Sequence, residues 1–189
     1  TEVWDRWKVA KERRVKTSSW RSLDSAWRTH VEPAWGLRTV ASVHPAEVQD
    51  WVNQLDRAPS TVERAYHLLS TLFDEAVRLR QLRTNPCQGV QTPSRKKSKD
   101  VTLTQEQVRL LIEQTTRYQS LVAFLAYTGV RWGEAAALTV ADIDLKKQRA
   151  IITKSASTVG GKVTEGDTKT STSRSVAIPT PAIPHLNKA

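Results

Sequence analysis

The sequence predicts a mainly α-helical chain in three parts. Residues 1–90 form a four-helix unit, residues 91–100 a basic linker, and residues 101–189 the start of an α+β unit with a small antiparallel sheet. Apolar side chains recur at helical spacing through the first part, with Pro33, Pro45, Pro59 and Pro86 as punctuation. Residues 91–100 then hold one proline, four cations and no apolar side chain. Toward the end, alternation replaces the helical period, with Val176 and Ile178 pointing inward before Pro179.

At 189 residues the chain can bury one large core or two small ones. Hydrophobic residues at 39% and charged residues at 25% suit an ordinary water-facing protein. No apolar run approaches the ~20 residues of a membrane span, and no signal peptide opens the chain. The single cysteine, Cys87, excludes an internal disulfide and a cysteine-rich metal site. Methionine is absent even at position 1, as expected of an internal piece of a longer protein or a trimmed chain. The net charge of +10 favours a polyanionic partner. It is unevenly spread: about +3 over 1–90, +3 over 91–100, −2 over 101–145 and +6 over 146–189. A charge excess alone also describes a solvated face.

In chain order, residues 1–16 read as a short amphipathic helix, with Trp4 and Trp7 inward and a basic end at Lys11, Arg13, Arg14 and Lys16. A second helix, capped by Thr17 or Ser18, carries Trp20, Leu23, Trp27 and Val31 and should stop before Pro33. The tryptophan stripe reads as core rather than as a stacking platform. A third helix opens at His44 and Pro45, with Val48, Trp51, Val52 and Leu55 inward. The fourth, capped by Ser60 or Thr61 and ending near Leu82, shows Val62, Ala65, Tyr66, Leu69, Leu72, Phe73, Ala76 and Val77 on one face. Lys16, Arg21, Arg28, Arg64, His67 and Arg78 lie on the polar faces. They are candidate contacts to a phosphate backbone, as are Arg95, Lys96, Lys97 and Lys99 in the linker. Thr104 caps the first helix of the second part, with Val108, Leu111 and Ile112 inward. Residues 149–153 read as a strand, and Gly160 with Gly161 as a turn.

The chain is organised around residues 121–138. Leu121, Val122, Ala123, Phe124 and Leu125 read as a buried helix, which Thr128 and Gly129 break. A helix restarts near Arg131 and sets Arg131, Glu134 and Leu138 on one face. A cation in a first helical turn runs against the helix dipole. It makes sense if an anion is the tenant, met by free backbone N–H groups and a forked guanidinium. The plainer reading is a solvated Arg–Glu pair.

The string Thr128-Gly129-Val130-Arg131-Trp132-Gly133-Glu134, continued by Leu138 and by Asp142-Ile143-Asp144, resembles the first arginine box of tyrosine recombinases of the phage-integrase family. Val140 replaces a frequent tryptophan. The segment Lys169-Thr170, ahead of Arg174, Val176, Ile178 and Pro179, resembles that family's hairpin lysine. Residues 27–36, 60–62 and 85–87 resemble strings of its SAM-like core-binding domain. The resemblance implies that Arg131 holds the non-bridging phosphate oxygens and that Lys169 protonates the leaving 5′ oxygen. Lys154 and Lys162 are rivals for that second role. Glu134 and Gly129 would support the site, and Arg174 is a further candidate DNA contact.

It also implies site-specific recombination, such as phage integration and excision, through a 3′-phosphotyrosyl intermediate, with neither ATP nor metal. The partners would be double-stranded DNA at attachment-type core sites, copies of the protein in a tetrameric synapse, and a DNA-bending accessory protein. The setting would be the host cytoplasm and nucleoid, away from membranes. A second arginine box and a tyrosine nucleophile are missing from these residues, since Tyr66, Tyr118 and Tyr127 all precede Arg131. The chain as given should bind DNA without cutting it. Two alternatives stay open: a non-enzymatic DNA-binding protein that keeps the fold, acting as truncated regulator or decoy, and an unrelated basic helical protein that stacks on RNA.

Overall fold

A computed structural model of the chain describes residues 2–94, 101–159, 162–167 and 172–187. The chain divides into two compact units, Thr1–Ser98 and Lys99–Ala189.

In the first unit, α1 (Glu2–Glu12) turns Val3, Trp4 and Trp7 inward. Then α2 (Thr17–Ala26) follows Lys16, which stands at the cap without a side-chain cap bond; the expected Thr17 or Ser18 cap lies one step too late. Pro33 does not end this helix. The backbone widens into a π-turn at Trp27–Val31 and continues as α3 (Glu32–Trp35), which contains Pro33. The Glu32 N–H reaches back to Trp27 O, five residues away. That wider turn relieves the clash a proline ring makes with the carbonyl four residues earlier.

Pro45 occupies the first turn of α4 (Pro45–Gln54), with Val48 and Val52 buried. Pro59 opens α5 (Pro59–Arg78), so the cap is Ala58 rather than Ser60 or Thr61. The helix stops short of Leu82, because Arg80 takes a left-handed φ of 58°. Leu68 joins the buried face that the sequence pattern assigns to its neighbours.

The tryptophans of this unit belong to its core, Trp20 and Trp51 partly buried against the rest. Trp4 stacks on Trp27 at 4.5 Å between ring centroids and on Trp20 at 5.7 Å, while Trp35 meets Trp51 edge-on. Behind α5, the buried Asn85 donates to Ser70 O and to Asp74 Oδ1, and its Oδ1 accepts the Cys87 N–H. Burial pushes the Cys87 thiol up to about 12, so it serves as packing. Gln49 holds the chain at Gln91 by two bonds: its Nε2 donates to Gln91 O, and its Oε1 accepts the Gln91 N–H.

In the second unit, Thr104 caps α6 (Gln105–Gln114) and exchanges bonds with Gln107. Ile112 is buried, but Leu111, expected inward, is exposed. Next come α7 (Gln119–Thr128), α8 (Trp132–Ala135) and a 3-10 turn at Val140–Asp142. Among the described residues five strands follow: β1 (Ile143–Asp144), β2 (Arg149–Ile152), β3 (Lys154–Val159), β4 (Lys162–Asp167) and β5 (Arg174–Ala177). They form an antiparallel sheet of order β1-β2-β5 and a separate β3–β4 hairpin. A short helix, α9 (Ile183–Leu186), packs on α7. The Gly160–Gly161 turn expected from sequence lies outside the described residues.

The stacked indoles should dominate the stability of the first unit. Trp27→Ala is expected to lower its unfolding free energy by about 3–5 kcal/mol, read by urea titration of tryptophan fluorescence. A loss under about 1 kcal/mol would show that the stack is not structural.

Candidate functional site

α7 ends at Gly129, whose φ of 64° is open to glycine and strained for other residues. Its N–H closes the helix on Leu125 O. The turn sends Val130 into the core and leaves Arg131 in extended conformation at the cap of α8. One residue is thereby anchored and the next presented. Glu134, one turn on, points inward and is only 1% exposed.

The Glu134 carboxylate accepts four hydrogen bonds. Its Oε2 takes the Arg131 backbone N–H at 3.1 Å, and its Oε1 takes Arg131 Nη1 at 3.1 Å. Arg174 completes the set with a two-pronged pair, Nη1 to Oε1 at 3.1 Å and Nη2 to Oε2 at 2.6 Å. These donors, Arg174 foremost, hold the Glu134 carboxyl down at about 2 against the opposing effect of burial. Of the backbone N–H groups expected to be free at this helix start, that of Arg131 is taken by Glu134. The expected guanidinium is open: the Arg131 side chain is 57% exposed and spends a single nitrogen on Glu134.

Arg174 shares its face with the core. It pairs across the sheet with Ile152, which is fully buried, and it alternates with Val176 toward the buried Ile178. The sequence reading offers it as a DNA contact, but both of its terminal nitrogens are committed to Glu134. Gly133 has a packing role. A Cβ there would lie 2.6 Å from the Ala156 carbonyl oxygen and 2.7 Å from Ser155 Oγ, so the missing side chain lets β3 close on α8. Lys154 pairs with Glu165 across the hairpin at 2.9 Å. Lys169, expected to act beside Arg131, lies outside the described residues, as do Arg95, Lys96, Lys97 and Lys99. Nothing is described of the Lys162 side chain.

A second cluster of cations lies on the first unit. An open groove of about 430 Å³ between α1, α2 and α5 has Trp7, Lys11, Leu23, Glu63, Arg64 and His67 in its lining. It adjoins one of about 460 Å³ lined by Trp7, Lys11, Arg14, Glu75 and Arg78. Lys11 lies 5.6 Å from the Trp7 ring centre. Arg64 and His67 share the first groove and Arg78 lines the second; Lys11, common to both, and Arg14 are marked by the sequence only as a basic helix end. Arg78 and Arg28 are each paired with a carboxylate one turn away, Glu75 and Asp24. Arg21 is exposed on α2.

A profile of the phage integrase family matches residues 101–188, and a profile of the phage integrase N-terminal SAM-like domain matches residues 1–55. The integrase of Mycobacterium phage D29 is 30% identical over 164 residues, covering 84% of this chain and 42% of the phage protein. A probable integrase of prophage ps2 in Lactococcus lactis is 25% identical over 151 residues, covering 73% and 40%. The chain thus spans about two fifths of the length of these curated relatives. Among solved structures, the Tn1549 transposon integrase in complex with a circular intermediate DNA gives a TM-score of 0.84 at 16% identity. The match covers 99% of this chain and 63% of that one. The same integrase with transposon right-end DNA gives 0.83 at 18%, with the same coverage. These structures share the fold.

The depressed Glu134 carboxyl has a measurable consequence. Its pairing stabilises the fold fully above the ordinary value of 4.5, and the gain is lost as pH falls toward about 2. The gain is on the order of 3 kcal/mol. Glu134→Gln should therefore cost stability at neutral pH and close the gap to the parent chain between pH 4.5 and 2. A gap that stays constant across that window, in urea titrations at stepped pH, would refute the ionic role.

Proposed function

Because the chain belongs to the phage integrase family, we propose that it is a portion of a tyrosine-type site-specific DNA recombinase. Residues 1–90 would be the core-binding domain, 91–100 a phosphate-tracking link, and 101–189 the first part of the catalytic domain. The observation that carries this reading is the Arg131 guanidinium. It is anchored at one nitrogen and at its own backbone by a buried carboxylate, while its side chain is 57% exposed.

In the proposed reaction a tyrosine oxygen attacks the scissile phosphorus and the bond to the 5′ oxygen breaks. The 3′-phosphotyrosyl link and a free 5′ hydroxyl result. The energy of the broken ester is kept in the new one, so no nucleotide cofactor is needed. Negative charge grows on the non-bridging oxygens, where Arg131 donates. Lys169 gives the 5′ oxygen its proton. Glu134 orients Arg131 and takes no part in the chemistry. The nucleophile is not among these 189 residues, whose three tyrosines precede Arg131, so this stretch is expected to bind a core site without cutting it.

Double-stranded DNA is the proposed partner, as the cationic groove on the first unit and the DNA-bound Tn1549 integrase structures support. Strand exchange would require a tetramer of the full-length protein and would admit an accessory DNA-bending protein. Among the described residues no helix is long and apolar enough to cross a membrane.

In the full-length protein, Arg131→Ala should slow cleavage of a nicked suicide substrate by at least about 10²–10³-fold while site binding holds. Parallel loss of binding in a gel-shift assay would sink the catalytic assignment. The groove is tested separately. Replacing both Lys11 and Arg64 by Gln should lower the slope of log affinity against log salt by about 2, near 0.9 per lost phosphate contact. An unchanged slope would move the DNA face elsewhere.

A further inference from the structure

We propose that Arg174 is a positioning residue for the Arg131 guanidinium, acting through Glu134; the inference rests on the reading of Arg131 as the phosphate-holding group. Glu134 is buried and carries the only carboxylate on which Arg131 is seen to lean among the described residues. A carboxylate with one guanidinium beside it would draw that guanidinium into a two-pronged pair of its own, since that is the favoured geometry. Here the two-pronged position is already taken by Arg174. Arg131 is left with one side-chain bond to Oε1 and a backbone bond to Oε2. Arg174 therefore does two things. It fixes the plane of the carboxylate, and it prevents Glu134 from consuming the donors that Arg131 needs for a phosphate.

The geometry that allows this comes from the sheet. Arg174 is the first residue of β5, in register with the buried Ile152, so its side chain leaves the strand on the core side. Its own side chain is 37% exposed, less open than Arg131 at 57%. A lysine could supply charge at this place but only a single point of contact, so plane and spacing would be lost. The pairing also joins β5 to α8, which ties the strand five residues beyond Lys169 to the cap that presents Arg131.

The test uses the full-length recombinase and separates site binding from single-turnover cleavage of a nicked suicide substrate. Arg174→Gln should slow cleavage about 10²-fold, the scale set by a misplaced catalytic group, while site affinity and its salt slope stay within about twofold. In a Glu134→Gln background the same change should cost less than about threefold, because the path through the carboxylate is already cut. Arg174→Lys keeps the charge and serves if the glutamine variant does not fold; it too should slow cleavage with binding intact. Arg174→Lys at the parent rate, or equal costs in the two backgrounds, would overturn the positioning role. Loss of affinity with a salt slope lower by about 1 would make Arg174 a phosphate grip instead. Arg131→Ala is run beside these variants. If it cleaves at the parent rate, the catalytic reading itself fails; if it is inactive, any failure above belongs to Arg174 alone.

Discussion

The second unit is built around one desolvated negative charge. A lone carboxylate as buried as Glu134 would be costly, and it is tolerated because four donors converge on it. Those donors come from places far apart in the chain: the cap of a four-residue helix and the first residue of a strand 43 positions later. Folding the sheet against the helices is what brings them together. In return the carboxylate ties the turn between the buried Val130 and Ala135 to the sheet. α8 is too short to stand on backbone bonds alone, and a gap in this network would loosen the residues around Arg131 first.

The first unit follows a different logic. Much of its core is aromatic, with Trp4 stacked on Trp20 and Trp27 and meeting Trp7 at a tilt. Trp7 serves both sides, since its buried ring also forms the floor of the cationic groove under Lys11. Two units with unlike cores thus present cations by unlike means, one by packing and one by a buried counter-charge.

How much of this could be read from sequence depended on whether a residue's role was local. The break at Gly129, the cap at Thr104 and the pairing of Arg131 with Glu134 are set by neighbours three or four positions away, and each was legible. Arg174 was legible in part. Val176 and Ile178 were read as inward, and the same alternation puts Arg174 inward, but an arginine's charge argued for the surface until a buried partner was in view. The β3–β4 hairpin gave no period-two signal, because residues such as Ser155, Ser157, Thr164 and Glu165 leave neither face apolar. The helix through Pro33 was hidden for a similar reason. A π-turn depends on how Trp27 and Val31 pack, and a proline seen alone argues for a stop.

The contact at Gly133 bears on how freely such a protein can vary. β3 meets α8 partly through a main-chain oxygen, and the space it fills exists because a side chain is missing. Main-chain atoms are the same whatever residue carries them, so Ala156 could change its identity and keep its seat. The requirement falls on the one position that contributes nothing. Across variants of this chain, Ala156 can drift in sequence while Gly133 must stay bare, with Ser155 Oγ holding the rest of the space.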